Sequence, residues 1–581
     1  MHDYLIKNAT IVDGTGSAPF NGDVAIAQGK IAAVGELNDA AKETINADGA
    51  HLTPGWVDVH THFDGQVSWD DQLDPSFSHG VTSVVMGNCG VGFAPCPPGG
   101  ERRMIELMEG VEDIPGTALY EGIEWGRWET FPEYMDYLET KRYTMDVGTQ
   151  VPHSAVRNYV MGERALKHED ATAADLEAMA GIVADGLRAG AVGFSTSRTI
   201  GHRSILGEPI PGTFAEKAEL LSIAAAMKSV GKGVFQAVPA GVVGDIAGPE
   251  HWTTEQEVEL FTEIAIASGR NCTFTLVQNS ARPDQWRNCL ALVEKANAKG
   301  ALLQPQIATR PIGIVTSLKS YHMFSRRETY LKLCDLPFEK MLVELRKPEI
   351  KAAILADKDI APDQPGAMAN LYALLGMAAE GMFPIDYPID YEPEADQCLG
   401  SLAAAKGQDI QSFLYDFLLE NDGNKFAILL GANFVDGSFS VIEDMLEHPN
   451  TTIGLSDAGA HVNLIFDAVG PTYQLTHWVR DRTRGRRMPI ELIVHKQTQR
   501  NAQLFGLNDR GSIGVGQRAD LNLFDLQRLT LGELAIHADL PAGGQRILQG
   551  AQGYLNTFVA GVKTRENDTD TGARPGRVIR A

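Results

Sequence analysis

Along most of the chain, apolar strand-like runs take turns with amphipathic helical stretches, and this alternation limits the possible folds more than any other feature. The runs include VTSVVMG (81–87), AVGFSTS (191–197), GVFQAV (233–238), CTFTLVQ (272–278), ALLQPQI (301–307) and TTIGLSD (451–457). Stretches such as ATAADLEAMAGIVADGLRAG and AEKAELLSIAAAMKSVG stand between them. Strand followed by helix, repeated, implies a parallel sheet with helical crossovers. About eight such units favour closure into a (β/α)8 TIM barrel, an α/β fold. Two regions break the rhythm, near 100–145 and 308–400. Insertions of this length after barrel strands read as lids, substrate loops or structural elaborations.

The two ends of the chain have a different texture. DYLIKNATIVDG, GDVAIAQGKIAAVG and AHLTPGWVDVH near the start, and GSIGVGQRADLNLFDLQ and YLNTFVAGVKTREN near the end, are short β-type runs closed by Gly, Asn or Asp. Each end alone is too short to bury a core, so residues 1–57 and 508–581 are expected to build one small β-sandwich plus a tail, around a barrel spanning 58–507.

Charge narrows the partners. The 581 residues hold 50 basic and 75 acidic side chains, a net −25, which repels phosphate backbones and anionic membrane surfaces. A small-molecule substrate is the expected partner, with no nucleic acid and no membrane; association into a homo-oligomer stays open. No stretch is long and uncharged enough to cross a bilayer. Six cysteines without a CxxC pair are too sparse for a disulfide framework, and the first residues lack a basic start followed by an apolar segment, so the expected compartment is the reducing cytoplasm.

Three strand ends carry chemistry. In VDVHTHFD, His60 and His62 are one residue apart after an apolar run, so their imidazoles face the same side of an extended chain and can converge on one ion. HxH alone also occurs in ordinary turns. In HGVTSVVMGNCG a buried run ends at Cys89, as a thiol ligand or a small core residue. In TTIGLSDAGAH the run ends at Ser456-Asp457, as a catalytic carboxylate or the cap of a following helix. A barrel gathers its active site at the C-terminal ends of its strands, so the three endings together point to one site.

With these motifs, and with IVDGTG, TPGWVDVHTH, HSAVRNYVMG, GAVGFSTS, THWVRD and DRGSIGVGQRADLNLFD, the chain resembles the amidohydrolase superfamily nearly end to end, specifically its N-acyl-D-amino-acid deacylase branch. The resemblance implies a barrel with a two-ended β-sandwich, a metal centre and hydrolysis of amide-like bonds. His60, His62 and Asp457 match the family's HxH and strand-8 aspartate, and Cys89 matches its bridging thiolate. Gln236 and Gln278 stand where that branch has histidines after strands 5 and 6. Glutamine is a poorer donor than imidazole, so one well-occupied divalent metal, zinc by ligand type, is expected, with these glutamines as ligands of a weak second site.

The mechanism expected from this set is attack of metal-activated water on an amide-type C–N bond, with Asp457 accepting the proton and passing it to the leaving nitrogen. Arg310 in QIATRPIG and Arg157 in HSAVRN are candidate forks for a substrate carboxylate. Trp125, Trp128 and Tyr134 either cover an acyl group or pack the insertion, and His153 and His202 read as surface or supporting histidines. Two other classes remain on the sequence alone. One is a non-catalytic platform with a degenerate metal site; the other is lyase or isomerase chemistry on the same barrel.

Overall fold

A computed structural model describes residues 1–242 and 252–581 as a mixed α/β chain. Six strands, β1 (Trp56–Asp58), β2 (Val81–Met86), β3 (Asp146–Pro152), β4 (Gly193–Ser197), β5 (Val234–Val238) and β6 (Cys272–Phe274), form a parallel sheet in sequence order. Two more, β7 (Gln306–Ile307) and β8 (Thr452–Ile453), pair with each other in parallel. Parallel bridges Cys272↔Leu303 and Thr275↔Gln306 link β6 to β7, and Thr61↔Ala458 links the end of β1 to the end of β8. All six residues of β2 are buried, as expected of a parallel strand covered on both faces.

The strands are shorter than their apolar runs, for local reasons. Pro305 has no N–H to give to a neighbour, and only Gln306–Ile307 of the run 301–307 pairs as a strand. After Thr452–Ile453 the backbone leaves the extended region at Leu455 (φ 58°) and Asp457 (φ 47°). The helices follow their sequence signals closely. Ala173–Ala189 opens with a Thr172/Asp175 capping box and stops at Gly190, whose φ of 112° suits glycine. Its buried Met179, Val183 and Leu187 face the strands, each apolar side chain contributing roughly 1.5–3 kcal/mol by leaving water.

The chain ends meet in one sheet. His2–Ile11, Phe20–Ala27, Lys30–Gly35, Ala41–Asn46 and His51–Pro54 share it with Leu521–Phe524, Tyr554–Val559, Val562–Glu566 and Thr569–Asp570. The seam is antiparallel, with Leu52 opposite Leu523, and its core holds Ile6, Ile26, Leu52, Leu521 and Phe558. At the foot of β3, Asp146 accepts from both Arg510 (2.7 Å) and Arg518 (2.9 Å), tying this sheet to the parallel strands.

Two C-terminal pieces lie elsewhere. The hairpin Thr530–His537/Arg546–Gln552 has its own pairing, and its Leu534, Ile547 and Ala551 belong to the same core as the parallel strands. Residues 576–581 run along β3, with Ile579 N–H donating to Val147 O at 2.8 Å.

The excursion after β2 forms the helices Glu101–Glu112, Gly116–Gly122 and Phe131–Glu139. The one after β7 holds a three-stranded antiparallel sheet, Ile312–Ser317, Phe383–Ile385 and Phe426–Ala432, over a separate core that includes Leu345, Leu375 and Leu414. This body runs past residue 400, because its central strand is Phe426–Ala432.

Candidate metal centre

The segment after β1 stays extended because Thr61 bonds β2 twice, N–H and Oγ1 both donating to Val85 O at 3.1 and 2.9 Å. The residues on either side of Thr61 therefore point the same way, and the His60 and His62 rings lie 5.5 Å apart. Cys89 follows β2 in a left-handed conformation (φ 56°) that turns its thiol toward them. The turn continues at Gly90, where an added Cβ would sit 2.9 Å from Ser197 N, so a side chain is not accommodated. Asp457 follows β8, also left-handed (φ 47°). Such backbone outside glycine costs on the order of 1–3 kcal/mol per residue and collects at functional sites.

Four donor atoms converge. Cys89 Sγ is 3.4 Å from His60 Nε2 and 3.8 Å from His62 Nε2. Asp457 Oδ1 lies 3.4 and 3.8 Å from the same two nitrogens. A tetrahedral zinc ion with bonds of about 2.0–2.3 Å needs its ligand atoms roughly 3.3–3.8 Å apart; the imidazole-to-thiol and imidazole-to-carboxylate distances match this, and His60, His62 and Cys89 form a compact trio of donors within 4.8 Å of one another, with Asp457 on the imidazole side.

The surroundings orient and neutralise these donors. Gln306 Oε1 lies 2.6 Å from His60 Nδ1; a carbonyl oxygen only accepts, so the proton sits on Nδ1 and Nε2 keeps its lone pair for the cluster. Glu112 Oε1 lies 3.3 Å from His62 Nδ1, within ion-pair range but outside hydrogen-bond geometry, so that buried oxygen has no donor. Burial pushes His60 down to about 4 and His62 well below its usual value, which keeps both imidazoles neutral. Burial raises the Cys89 thiol, with Glu112 and Asp457 adding to it. Asp457 is raised to about 8, first by burial and then by Asp467 and Asp58. The carboxyls of the buried Glu112 and the part-buried Asp457 are what a bound cation would relieve.

The cluster lines a cavity of about 500 Å³. Glu112, His202 and His461 also line it, and aliphatic side chains including Val238, Val277, Ile314 and Leu429 form its walls. His461 Nε2 is 3.6 Å from Glu112 Oε2, and its backbone N–H donates to Glu112 O. His202, read from sequence as a surface or supporting residue, borders the cavity and bonds Ser197 Oγ through Nδ1 at 2.9 Å. Glu112 carries no motif. It is brought here because the helix Glu101–Glu112 docks through Gly110, where an added Cβ would meet the backbone of 203–205 at 2.4–2.5 Å. His461 did carry a signal, four residues beyond Asp457 in the same strand ending.

The remaining sequence candidates are not brought to the cluster. Gln236 lies on β5, buried, and neither of its amide atoms has a hydrogen-bond partner; it does not line the cavity. Gln278 turns toward the excursion, its Nε2 donating to Asp436 (3.0 Å) and its Oε1 accepting from Val435 N–H (3.3 Å). Arg310 is buried, its Nε 2.5 Å from Asp467 and its guanidinium 3.8 Å above the Phe466 ring. Arg157 pairs with Glu219, which also takes His153 Nε2 at 2.7 Å. Neither arginine lines the cavity. Trp128 packs 4.9 Å from Tyr134 and 4.8 Å from Tyr137, with Trp125 against Phe93, so these aromatics fill the interior of the insertion.

The profile of the amidohydrolase family matches residues 43–563. A D-aminoacylase of Alcaligenes xylosoxydans xylosoxydans is 24% identical over 99% of this chain and 97% of its own. A solved D-aminoacylase, described as having a binuclear metal centre with one-metal activation and second-metal attenuation, superimposes over 100% of both chains with a TM-score of 0.64 at 23% identity. An N-acyl-D-glutamate deacylase from Bordetella bronchiseptica, complexed with zinc and a phosphonate inhibitor, gives 0.63 at 23% identity, again over 100% of both chains. With a profile spanning most of its length and a shared fold along the whole of it, the chain belongs to the amidohydrolase family and is D-aminoacylase-like within it.

Proposed function

We propose that this chain is a metal-dependent hydrolase that cleaves the amide-type C–N bond of a small N-acylated compound of the amino-acid kind. The observation that carries the reading is the spacing of four donor atoms, 3.4–3.8 Å from imidazole nitrogen to thiol or carboxylate, in the wall of a cavity of about 500 Å³. In this reading the eight parallel strands amount to a (β/α)8 barrel over residues 58–507, and 1–57 with 508–581, apart from the hairpin Thr530–His537/Arg546–Gln552 and the tail 576–581, supply the accompanying β-domain. His60, His62, Cys89 and Asp457 hold one divalent ion, zinc by ligand type. The departure of Gln278 toward Asp436 supports a single well-occupied site.

When bound, the ion supplies Lewis acidity to the scissile carbonyl and to the attacking water. Asp457 accepts the proton of that water at its carboxylate and returns it to the leaving nitrogen; about a fifth of its side chain is open to the cavity. His60 is held in one tautomer by Gln306, and the aliphatic walls exclude competing water. Elemental analysis of purified protein, coupled to a panel of N-acyl-D- and N-acyl-L-amino acids and their amides, tests the reading. About one zinc per chain together with amide cleavage supports it; a metal-replete protein that cleaves none of the panel refutes it.

A further inference from the structure

The walls of the cavity specify more than its donor cluster does. Val238, Val242, Val277, Ile314, Leu374 and Leu429 make most of the lining aliphatic, with Thr275, Asn279 and Ser280 as its uncharged polar members. The titratable groups that share it with the imidazoles are the Cys89 thiol and the carboxyls of Glu112 and Asp457. Among the described residues that line it there is no lysine or arginine. Three buried arginines follow parallel strands, and each is engaged by a buried acid: Arg157 by Glu219, Arg198 by Glu257 through 2.7 and 2.9 Å bonds, and Arg310 by Asp467. Their charge is already compensated.

A carboxylate drawn between such walls loses its hydration and finds no guanidinium or ammonium among the described lining residues to replace it, a costly burial for a charged ligand. An uncharged chain loses little and gains dispersion contact along the aliphatic part of the wall. Leu374, on the helix Leu371–Ala378, carries this character to the open side of the cavity, where it is 38% exposed.

We infer that the substrate is an uncharged N-acylated amine with an aliphatic chain, such as a neutral amide or masked amino acid, and not an N-acyl amino acid bearing a free carboxylate. This rests on the hydrolase reading for the bond that is cleaved, but the selectivity for neutral ligands belongs to the cavity itself and is measurable without turnover.

Two chain-matched probes without a C–N bond separate the two readings. 2,5-Decanedione and 4-oxononanoate differ in having a methyl group or a charged oxygen at one end. Titrated calorimetrically against the zinc-loaded protein, the diketone is expected to bind at least tenfold more tightly. Leu374→Arg, on the open side, is expected to narrow that ratio by strengthening binding of the acid. Equal or tighter binding of 4-oxononanoate to the unaltered protein, or no binding of either probe, overturns the inference. In parallel, N-hexanoyl-D-alaninamide and N-hexanoyl-D-alanine are assayed for cleavage. Selective diketone binding with neither compound cleaved refutes the hydrolase reading and leaves the neutral cavity standing; cleavage of the acid in preference to the amide overturns the inference while the hydrolase reading stands.

Discussion

Gln306 Oε1 stands 2.6 Å from Nδ1 of His60, the ring nitrogen opposite the one that faces Cys89. This contact fixes both the tautomer and the tilt of a metal-binding ring from a residue on a different strand. Gln306→Leu removes the acceptor while leaving all four donors in place, so zinc affinity should fall about 10–100-fold. A chelator-competition titration measures it; unchanged affinity would mean that strand geometry alone orients the ring.

The donors themselves should separate into two behaviours. His60→Ala and His62→Ala each delete a nitrogen from the His60/His62/Cys89 trio, and metal content and activity should fall together. Asp457→Asn keeps an oxygen but cannot take a proton, so kcat should drop roughly 100-fold or more while most of the metal remains. Parallel metal analysis and steady-state rates distinguish the two outcomes.

Arg310→Met should act on stability. Its partner Asp467 is buried, and removing one member of a buried pair costs about 3–5 kcal/mol, because the other charge is left without compensation. Denaturant unfolding should show the loss, and any effect on turnover should be the same for charged and neutral substrates. A rise in KM confined to carboxylate substrates would instead return this residue to substrate recognition.

Lys496 makes stability depend on pH. Its ammonium donates to His448 O (2.7 Å), Thr451 Oγ1 (2.6 Å) and Thr451 O (3.3 Å), and burial, helped by Arg500, pushes its pKa down to about 7 from 10.5. Between those values the unfolded chain holds a proton that the folded one has released, so this residue's contribution to stability rises with pH. One pKa unit is worth about 1.4 kcal/mol, so from pH 7 to 9 the native protein should gain about 2 kcal/mol relative to Lys496→Met. Unfolding curves of both proteins at the two pH values check the sign as well as the size.

The convergence of His60, His62, Cys89 and Asp457 was legible because each ends an apolar run, and strand ends meet in a parallel sheet whatever the loops do. Glu112 was not, since a position in the last turn of a helix acquires its neighbours only when Gly110 lets that helix close on the 203–205 backbone. The arginines illustrate the opposite difficulty. A guanidinium in sequence looks available, but Arg310 meets its acid 157 residues away and Arg157 meets Glu219 at a separation of 62, distances over which no local pattern reports pairing. The alternation of strands and helices was visible throughout. The hairpin Thr530–His537/Arg546–Gln552 was not separable from the terminal strands by sequence, because its apolar residues alternate in the same way whichever body they cover.

The seam between Leu52 and Leu523 also bears on how the protein is made. The strand His51–Pro54, which leads directly into β1 and its two histidines, pairs on one side with the early strand His2–Ile11 and on the other with a strand that leaves the ribosome 467 residues after its last residue, at Leu521. For most of translation that edge is open, and at about 5–20 residues per second the wait is roughly half a minute or more. An open β edge is a template for pairing with other chains. The nascent polypeptide is therefore exposed to misassembly for most of its synthesis, and the yield of folded protein should depend on chaperone supply and on growth temperature more than its final stability suggests.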